Sequence, residues 1–432
     1  MKKTIAIILS LIIVMTVVLA GCGNSASNTN TNNDSNDVET TVEETEEETT
    51  EPPTEALVNS YEEYNDFSDG LAWVKYNNSN GDYYGCIDKT GKMKFKFSAS
   101  GVNEVTNYSG GYAFMISNSK VDVVNTSGEI TYTYEINDDN KVLSYGEGYM
   151  WTREYKADFD SVTYTHSMRK PDGTVLDSIE TNDTKDYYSF DYFGKGTFGY
   201  YLSPWEWHIY QETTGKWFDY TIGNNGTFYF YEDIARISTI WSNDVSLQFL
   251  DLEGNRTPVA LPSEGYGQIG KEGPVSDNMC VFAIGYEDTV GSYNLDTKKF
   301  AKLPDKYTNK IIFDDLEYPL AFNSGRIALK LMGSDKKKYV AVFDKEWNTI
   351  LEPIEAESYI GFGDERTIIK TSTDTLVYDI EGNVAFNASD LGYSEIQKYS
   401  DGVARVADQY EPTYLDKDGK VLFDAIDDST SY

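Results

Sequence analysis

From Leu57 to the end, the chain alternates short apolar runs with polar turns, and helical spacing is nearly absent. Phe67 is followed by the turn Ser68-Asp69-Gly70 and the strand-like run Leu71-Ala72-Trp73-Val74. More than three hundred residues later, Tyr399 is followed by Ser400-Asp401-Gly402 and Val403-Ala404-Arg405-Val406. A second phrase is more frequent: an apolar strand, a turn of the form Asp-x-x-Gly, then another strand, as in Cys86-Ile87-Asp88-Lys89-Thr90-Gly91. Aspartate at the start of such a turn bonds the backbone two residues on, and glycine supplies the left-handed conformation. Taking the glycine place as a marker gives 91, 128, 173, 215, 254, 299, 347, 382 and 419, a mean spacing of 41 residues.

Each unit reads as a leading apolar segment, a turn such as Ser-Asp-Gly, an alternating strand, a variable loop, a strand into Asp-x-x-Gly and a closing strand. Tyr-, Thr-, Val- and Ile-rich segments of this length favour strands, and four short strands at this period describe propeller blades. The expected fold is therefore all-β, a β-propeller of about eight blades within a range of seven to nine. The alternative is a β-solenoid. A solenoid typically needs atypical caps, whereas here the two terminal units are the best formed, as they would be if first and last were neighbours in a ring. In such a ring Cys86 and Cys280 lie in units one and six, too far apart to pair, so both are expected to be buried free thiols.

The residues Gly70-Leu71-Ala72, Val74 and Tyr84-Gly85-Cys86-Ile87-Asp88, with Gly91-Lys92, resemble the WG-repeat family of bacterial proteins. Units of that family pair a Gly-Leu-Ala-x-Val strand with a Trp-Gly-aromatic-Ile-Asp strand. The resemblance is good over 67–97 and 399–425, partial over 108–134, and reduced to period and turn between them. Tyr84 stands where the family has Trp. The resemblance implies a repeat-built β architecture and binding roles, and it brings no catalytic residues.

The start of the chain is of a different kind. Lys2 and Lys3 precede an apolar run from Ile5 to Ala20, which reads as a secretory signal over 1–21. Leu19-Ala20-Gly21-Cys22 resembles the lipobox of bacterial lipoproteins, in which the cysteine receives a diacylglycerol and becomes the mature N-terminus. That resemblance implies lipidation at Cys22, palmitate included, and placement on the extracytoplasmic face of the cell membrane. Residues 22–56 are rich in Asn, Ser, Thr and Glu, without Lys, Arg or aromatic side chains. Such a segment buries too little to fold and is expected to be a disordered acidic tether reaching roughly 30–35 Å. The propeller would then occupy 57–432.

The formal net charge of −35, or −37 without Lys2 and Lys3, argues against nucleic acid or anionic lipid as a partner through a basic surface. Membrane contact is expected through the lipid alone. His166 and His208 sit at strand positions, no Cys or His pair has zinc-ligand spacing, and the Asp-x-x-Gly turns lack the alternating oxygens of a calcium loop. Asp88, Asp251, Asp379 and Asp416 are read as turn residues, and neither a metal nor a soluble cofactor is expected. With 35 tyrosines and 7 tryptophans, the chain's notable resource is aromatic. Tyr200, Tyr201, Trp205 and Trp207 are the candidate ligand-binding residues, since rings beside carboxylates suit sugars or protein hot spots. The expected function is a non-catalytic, lipid-anchored binding or scaffold protein for an envelope protein or polysaccharide. The alternative is an envelope glycan hydrolase with a carboxylate pair in a central channel.

Overall fold

The computed structural model describes residues 58–427, apart from 159–160, 183–189, 204–205, 222–227, 238–245, 263–268, 286–288, 314–319, 408 and 410. The signal, the tether and Cys22 lie outside the described residues. The compact unit that holds the sheets runs from Glu55 to Tyr432.

The fold is all-β, with two single-turn 3₁₀ helices (Asp305–Tyr307 and Ser389–Leu391) as the helical elements among the described residues. Among the described residues, thirty-two strands form nine antiparallel sheets of two to four strands, each a simple meander. In chain order the sheets span 58–98, 102–135, 140–181, 190–221, 234–260, 269–302, 326–355, 358–387 and 404–415, and are numbered 1 to 9 below. Seven of the nine marker positions fall in the last turn of a different sheet; Lys299 opens the closing strand of sheet 6, and Gly419 lies in the turn that follows sheet 9, closed by the Leu415–Val421 bridge.

The apolar residues divide into nine buried clusters, and each is shared by two consecutive sheets. Leu71, Trp73 and Cys86 of sheet 1 meet Val105, Tyr108 and Met115 of sheet 2. The decisive cluster joins the two ends: Phe67, Ala72, Val74, Tyr76, Ile87 and Met93 of sheet 1 pack against Val403 and Tyr414 of sheet 9. Nine sheets in an open stack would share eight interfaces. The ninth returns the packing to its start, which makes the arrangement β-propeller-like and is not what a solenoid would form. The seam is also hydrogen-bonded: Met93 donates to the Asp427 carbonyl at 2.8 Å, Asp427 to that of Gly91 at 2.9 Å, and the Tyr414 hydroxyl to that of Asn65 at 2.7 Å.

Two turn types set the geometry. In eight units the turn after the lead segment has positive φ at both central residues, as at Asp69 (53°) and Gly70 (80°) or Asp401 (60°) and Gly402 (79°); in units 7 and 9 it is closed by the single bridges Asn323–Arg326 and Ser400–Val403 at the entry to the first strand. This is the type I′ turn, whose twist matches that of the flanking strands. In sheets 1, 2, 3, 5 and 9 the last turn places a glycine at positive φ against a ring of the preceding sheet, whereas Gly215 of sheet 4 meets nothing within 4 Å and Gly382 of sheet 8 meets the Ile350 carbonyl. A Cβ on Gly91 would stand 2.6 Å from Phe423 Cγ, and one on Gly419 would stand 2.6 Å from Phe386 Cγ. Phe95 on Gly128, Tyr132 on Gly173 and Phe218 on Gly254 repeat the contact. Sheet 7 departs from it: Trp347 takes the left-handed place (φ 64°), is 1% exposed, and donates its indole N–H to Ser292 Oγ of sheet 6 at 3.0 Å.

Cys86 and Cys280 are buried free thiols in sheets 1 and 6. Burial pushes the Cys280 thiol up to about 12, and burial raises Cys86 as well.

Candidate functional site

In a meander the first and third turns lie on the same edge of the sheet, so one face of the ring collects both turn types from every unit. On that face the first turns are linked from sheet to sheet. The Asp69 carboxylate accepts from Gly111 N–H of sheet 2 at 2.8 Å, Glu147 from Gly196 at 2.9 Å, Glu232 from Asn278 at 3.0 Å and Asp277 from Gly325 at 2.6 Å. Ser324 Oγ accepts from Glu365, Asp364 from Gly402, and Asp401 from Gly70 of sheet 1, the last at 2.6 Å. Two junctions lack the link for a chemical reason: Gly110 has no side chain and the Lys195 ammonium cannot accept. The last turns add lysines that reach back one sheet. Lys89 pairs with Asp401 Oδ1 at 3.0 Å, Lys345 donates to the Asp277 carbonyl at 2.6 Å, and Lys417 to Glu365 at 2.8 Å.

This network frames a cavity of about 410 Å³ lined by Asp66, Asn107, Asn323, Asp364, Lys398 and Ser400, among others. Asn323 belongs to the unit of sheet 7 and Asn107 to that of sheet 2, with units 8, 9 and 1 between them. One cavity can touch all five units only from inside the ring, so it is the mouth of the central channel. Its lining follows a rule. Asp66, Asn107 and Lys398 each stand four residues before the second residue of a first turn, and Tyr192 and Tyr229 hold that place in units 4 and 5. Tyr192 lies over Gly146, Tyr229 over Gly194 and Lys398 over Gly363, in each case on a glycine of the preceding unit.

The carboxylates of the mouth are already engaged: Asp66 accepts from Arg405 Nε at 2.8 Å, Asp364 from Gly402 and Asp401 from Lys89 and Gly70. Among the described residues, Lys398 has neither an ion pair nor a side-chain hydrogen bond. Its side chain is exposed to solvent; partial desolvation at the mouth lowers its pKa while nearby Asp364 pulls the other way.

The sequence-derived candidates lie elsewhere. Trp207 is 2% exposed in the cluster between sheets 4 and 5, and Tyr200 is 4% exposed between sheets 3 and 4, its hydroxyl donating to Asp177 at 2.8 Å. Both rings are packing partners because a propeller sheet is covered on two faces, so neither offers a ligand an open ring face. Trp205 lies outside the described residues, as does the side chain of Tyr201. His166 is buried, and His208 stacks on Trp217 at 4.5 Å with Nδ1 2.5 Å from Asp219. Asp88, Asp251, Asp379 and Asp416 each accept N–H bonds from their own turn, as at Asp251 from Glu253 (2.9 Å) and Asn255 (2.8 Å). Among the described residues, no group of three or more His, Cys, Asp or Glu is placed to hold a metal ion.

The model of the WG containing repeat matches residues 60–79. That repeat covers most of the first hairpin of sheet 1, including Asp69 and Gly70, so the matched stretch holds one half of two inter-sheet links. A comparison with curated proteins finds no match. Among solved structures the chain is similar to BamB from Moraxella catarrhalis (10% identity, TM-score 0.30, covering 84% of this chain and 98% of that one). It is also similar to apo AztD from Citrobacter koseri (12%, 0.36, 72% and 92%) and to the RRP9 WD40 repeats (10%, 0.28, 60% and 83%).

Proposed function

We propose that this chain is a nine-bladed propeller tethered outside the membrane through a lipidated Cys22, and that it serves as a non-catalytic binding or scaffold module for an envelope protein or glycan. The observation that carries this reading is the channel mouth. Five units contribute to one polar cavity whose frame is cross-linked by turn-to-turn hydrogen bonds and ion pairs. Such a frame presents side chains at fixed positions, which lowers the ordering cost of binding. The apolar run before Cys22 and the acidic stretch after it support export, anchoring and a standoff from the lipid.

Hydrolysis by a channel carboxylate pair is the rival. Binding is preferred because Asp66, Asp364 and Asp401 are each bonded to a structural donor, a poor starting point for an acid and a nucleophile or base. Cross-linking of tagged full-length protein on intact cells, followed by mass spectrometry, tests the proposal. A recurrent protein or glycan conjugate is expected. Cells that yield no conjugate above an untagged control would overturn the binding reading in favour of a structural spacer, and cleaved polysaccharide would promote the hydrolase.

A further inference from the structure

We propose that the channel mouth is a binding site for an acidic glycan, with Lys398 taking the carboxylate of a uronic acid residue. The inference rests on the binding reading above and names the ligand class.

Three observations support it. The ammonium in the mouth with neither an ion pair nor a hydrogen bond among the described residues is that of Lys398; Asp66 and Asp401 are paired with Arg405 and Lys89, and Asp364 accepts from Gly402 N–H. Lys398 is solvent-exposed at the mouth, so a bound carboxylate would pair there with an ammonium that has no hydrogen-bonded partner of its own among the described residues. Secondly, the groups beside it suit sugar hydroxyls. Asn107 and Ser400 line the cavity without side-chain hydrogen bonds among the described residues, and Asn323 uses its carbonyl oxygen for Ser324 (2.8 Å) while its amide N–H groups stay available. Thirdly, room exists because the neighbouring lead segments are small. Ala321 and Gly361 stand at the lining place in units 7 and 8, and Gly363 leaves a groove along which the Lys398 stem lies, its Cε 3.0 Å from where a Cβ would be.

Elsewhere on the ring the same place carries Tyr192 and Tyr229, whose rings are 6.0 Å apart, and Tyr231 follows at 4.6 Å from Tyr229. Tyr229 and Tyr231 are exposed, 40% and 50%. A tyrosine face packs on the C–H face of a sugar ring while its hydroxyl stays wet. One arc of the channel thus offers charge and amides, and another offers rings.

The test is calorimetric titration of full-length protein in detergent micelles with oligogalacturonate and with its methyl ester, which keeps the hydroxyls and removes the charge. The acid is expected to bind roughly two- to five-fold more tightly than the ester, the span of one solvent-exposed ion pair. Lys398→Gln should erase that preference and Lys398→Arg should keep most of it, with unchanged circular dichroism in both. Equal binding of acid and ester, preserved preference in Lys398→Gln, or binding of neither ligand would overturn the proposal. A protein or neutral-glycan conjugate that persists in Lys398→Gln cells would show that the module binds and that only its assigned ligand class is wrong.

Discussion

Gly91 and Gly70 belong to the same sheet and have nearly the same left-handed backbone, φ 79° and 80°. They differ in what a side chain would meet. Nothing lies within 4 Å of a Cβ built on Gly70, whereas one on Gly91 would be 2.6 Å from Phe423 Cγ, 2.8 Å from its Cδ2 and 3.0 Å from its Cβ. Gly70→Ala therefore isolates backbone strain, about 1–2 kcal/mol. Gly91→Ala adds the displacement of an aromatic ring from contact at roughly 3.5–4 Å, an overpacking penalty of about 1–3 kcal/mol. The expected totals are about 1–2 kcal/mol for Gly70→Ala and about 2–5 kcal/mol for Gly91→Ala. Urea unfolding followed by both tryptophan fluorescence and circular dichroism reads the difference, with coincident transitions confirming that a single free energy applies. In a double-mutant cycle, Phe423→Ala should be less damaging beside Gly91→Ala than alone, with coupling of about 1–3 kcal/mol. If Gly91→Ala is no more destabilising than Gly70→Ala, the ring contact that closes sheet 9 onto sheet 1 is not a structural constraint and the account of the seam fails.

Trp347→Ala should lower stability by about 3–5 kcal/mol, since it empties a buried site and strips Ser292 of its indole partner; a thermal melt shifted by less than that of Gly70→Ala would contradict this. Burial pushes the Asp88 and Asp379 carboxyls up, but hydrogen bonds from Thr90 and Lys92 and from Asn383 and Glu381 outweigh it and hold both below the ordinary 3.8. Their folded pKa is the lower one, so the stability they add is complete above about pH 4 and is lost as pH falls through the folded values. The urea midpoint of the native protein should therefore drop more steeply below about pH 4 than that of Asp379→Asn, and parallel curves would refute the assignment. Cys86 and Cys280 should resist alkylation in the native state and react in urea, as followed by peptide mass spectrometry; modification of either in the folded protein would show an access route that their burial denies.

Much of this architecture is legible in the sequence because a turn needs particular residues at particular places. Glycine at 91, 128, 173, 215, 254, 382 and 419 announces the last hairpin, and aspartate at 88, 251, 379 and 416 announces its hydrogen bonds. The links between sheets were present but unread. Asp69 and Gly111 are 42 residues apart, one repeat, and only the ring tells that the first turn of one unit meets the first turn of the next. Lysine after the turn aspartate, at 89, 345 and 417, and the aromatic residue three or four places after the turn glycine carry similar messages. The burial of Tyr200 and Trp207 is illegible for a different reason. A cluster such as Tyr200 and Trp207 signals binding only if one face of its strand is open, and strand alternation does not say whether a second sheet covers that face. Lys398 drew no notice because an isolated lysine in "IQKYSDG" is chemically ordinary until its neighbours are known.

The seam between sheets 9 and 1 changes what near and far mean in this chain. Residues 67 and 402 are distant in the gene product and adjacent in the ring, so the units in which the repeat is clearest, at the two ends of the sequence, occupy one continuous arc, and the cavity beside Lys398 runs from that arc into units 7 and 8. The middle units, where the phrase has worn down to a period and a turn, form the remainder of the circle. Drift along the sequence is then a map of the ring by sector: one sector has kept its residues and the other only its spacing. A join between Asp427 and the lead strand of sheet 1, with a new opening between two middle units, would preserve all nine interfaces, because a circle has no first member.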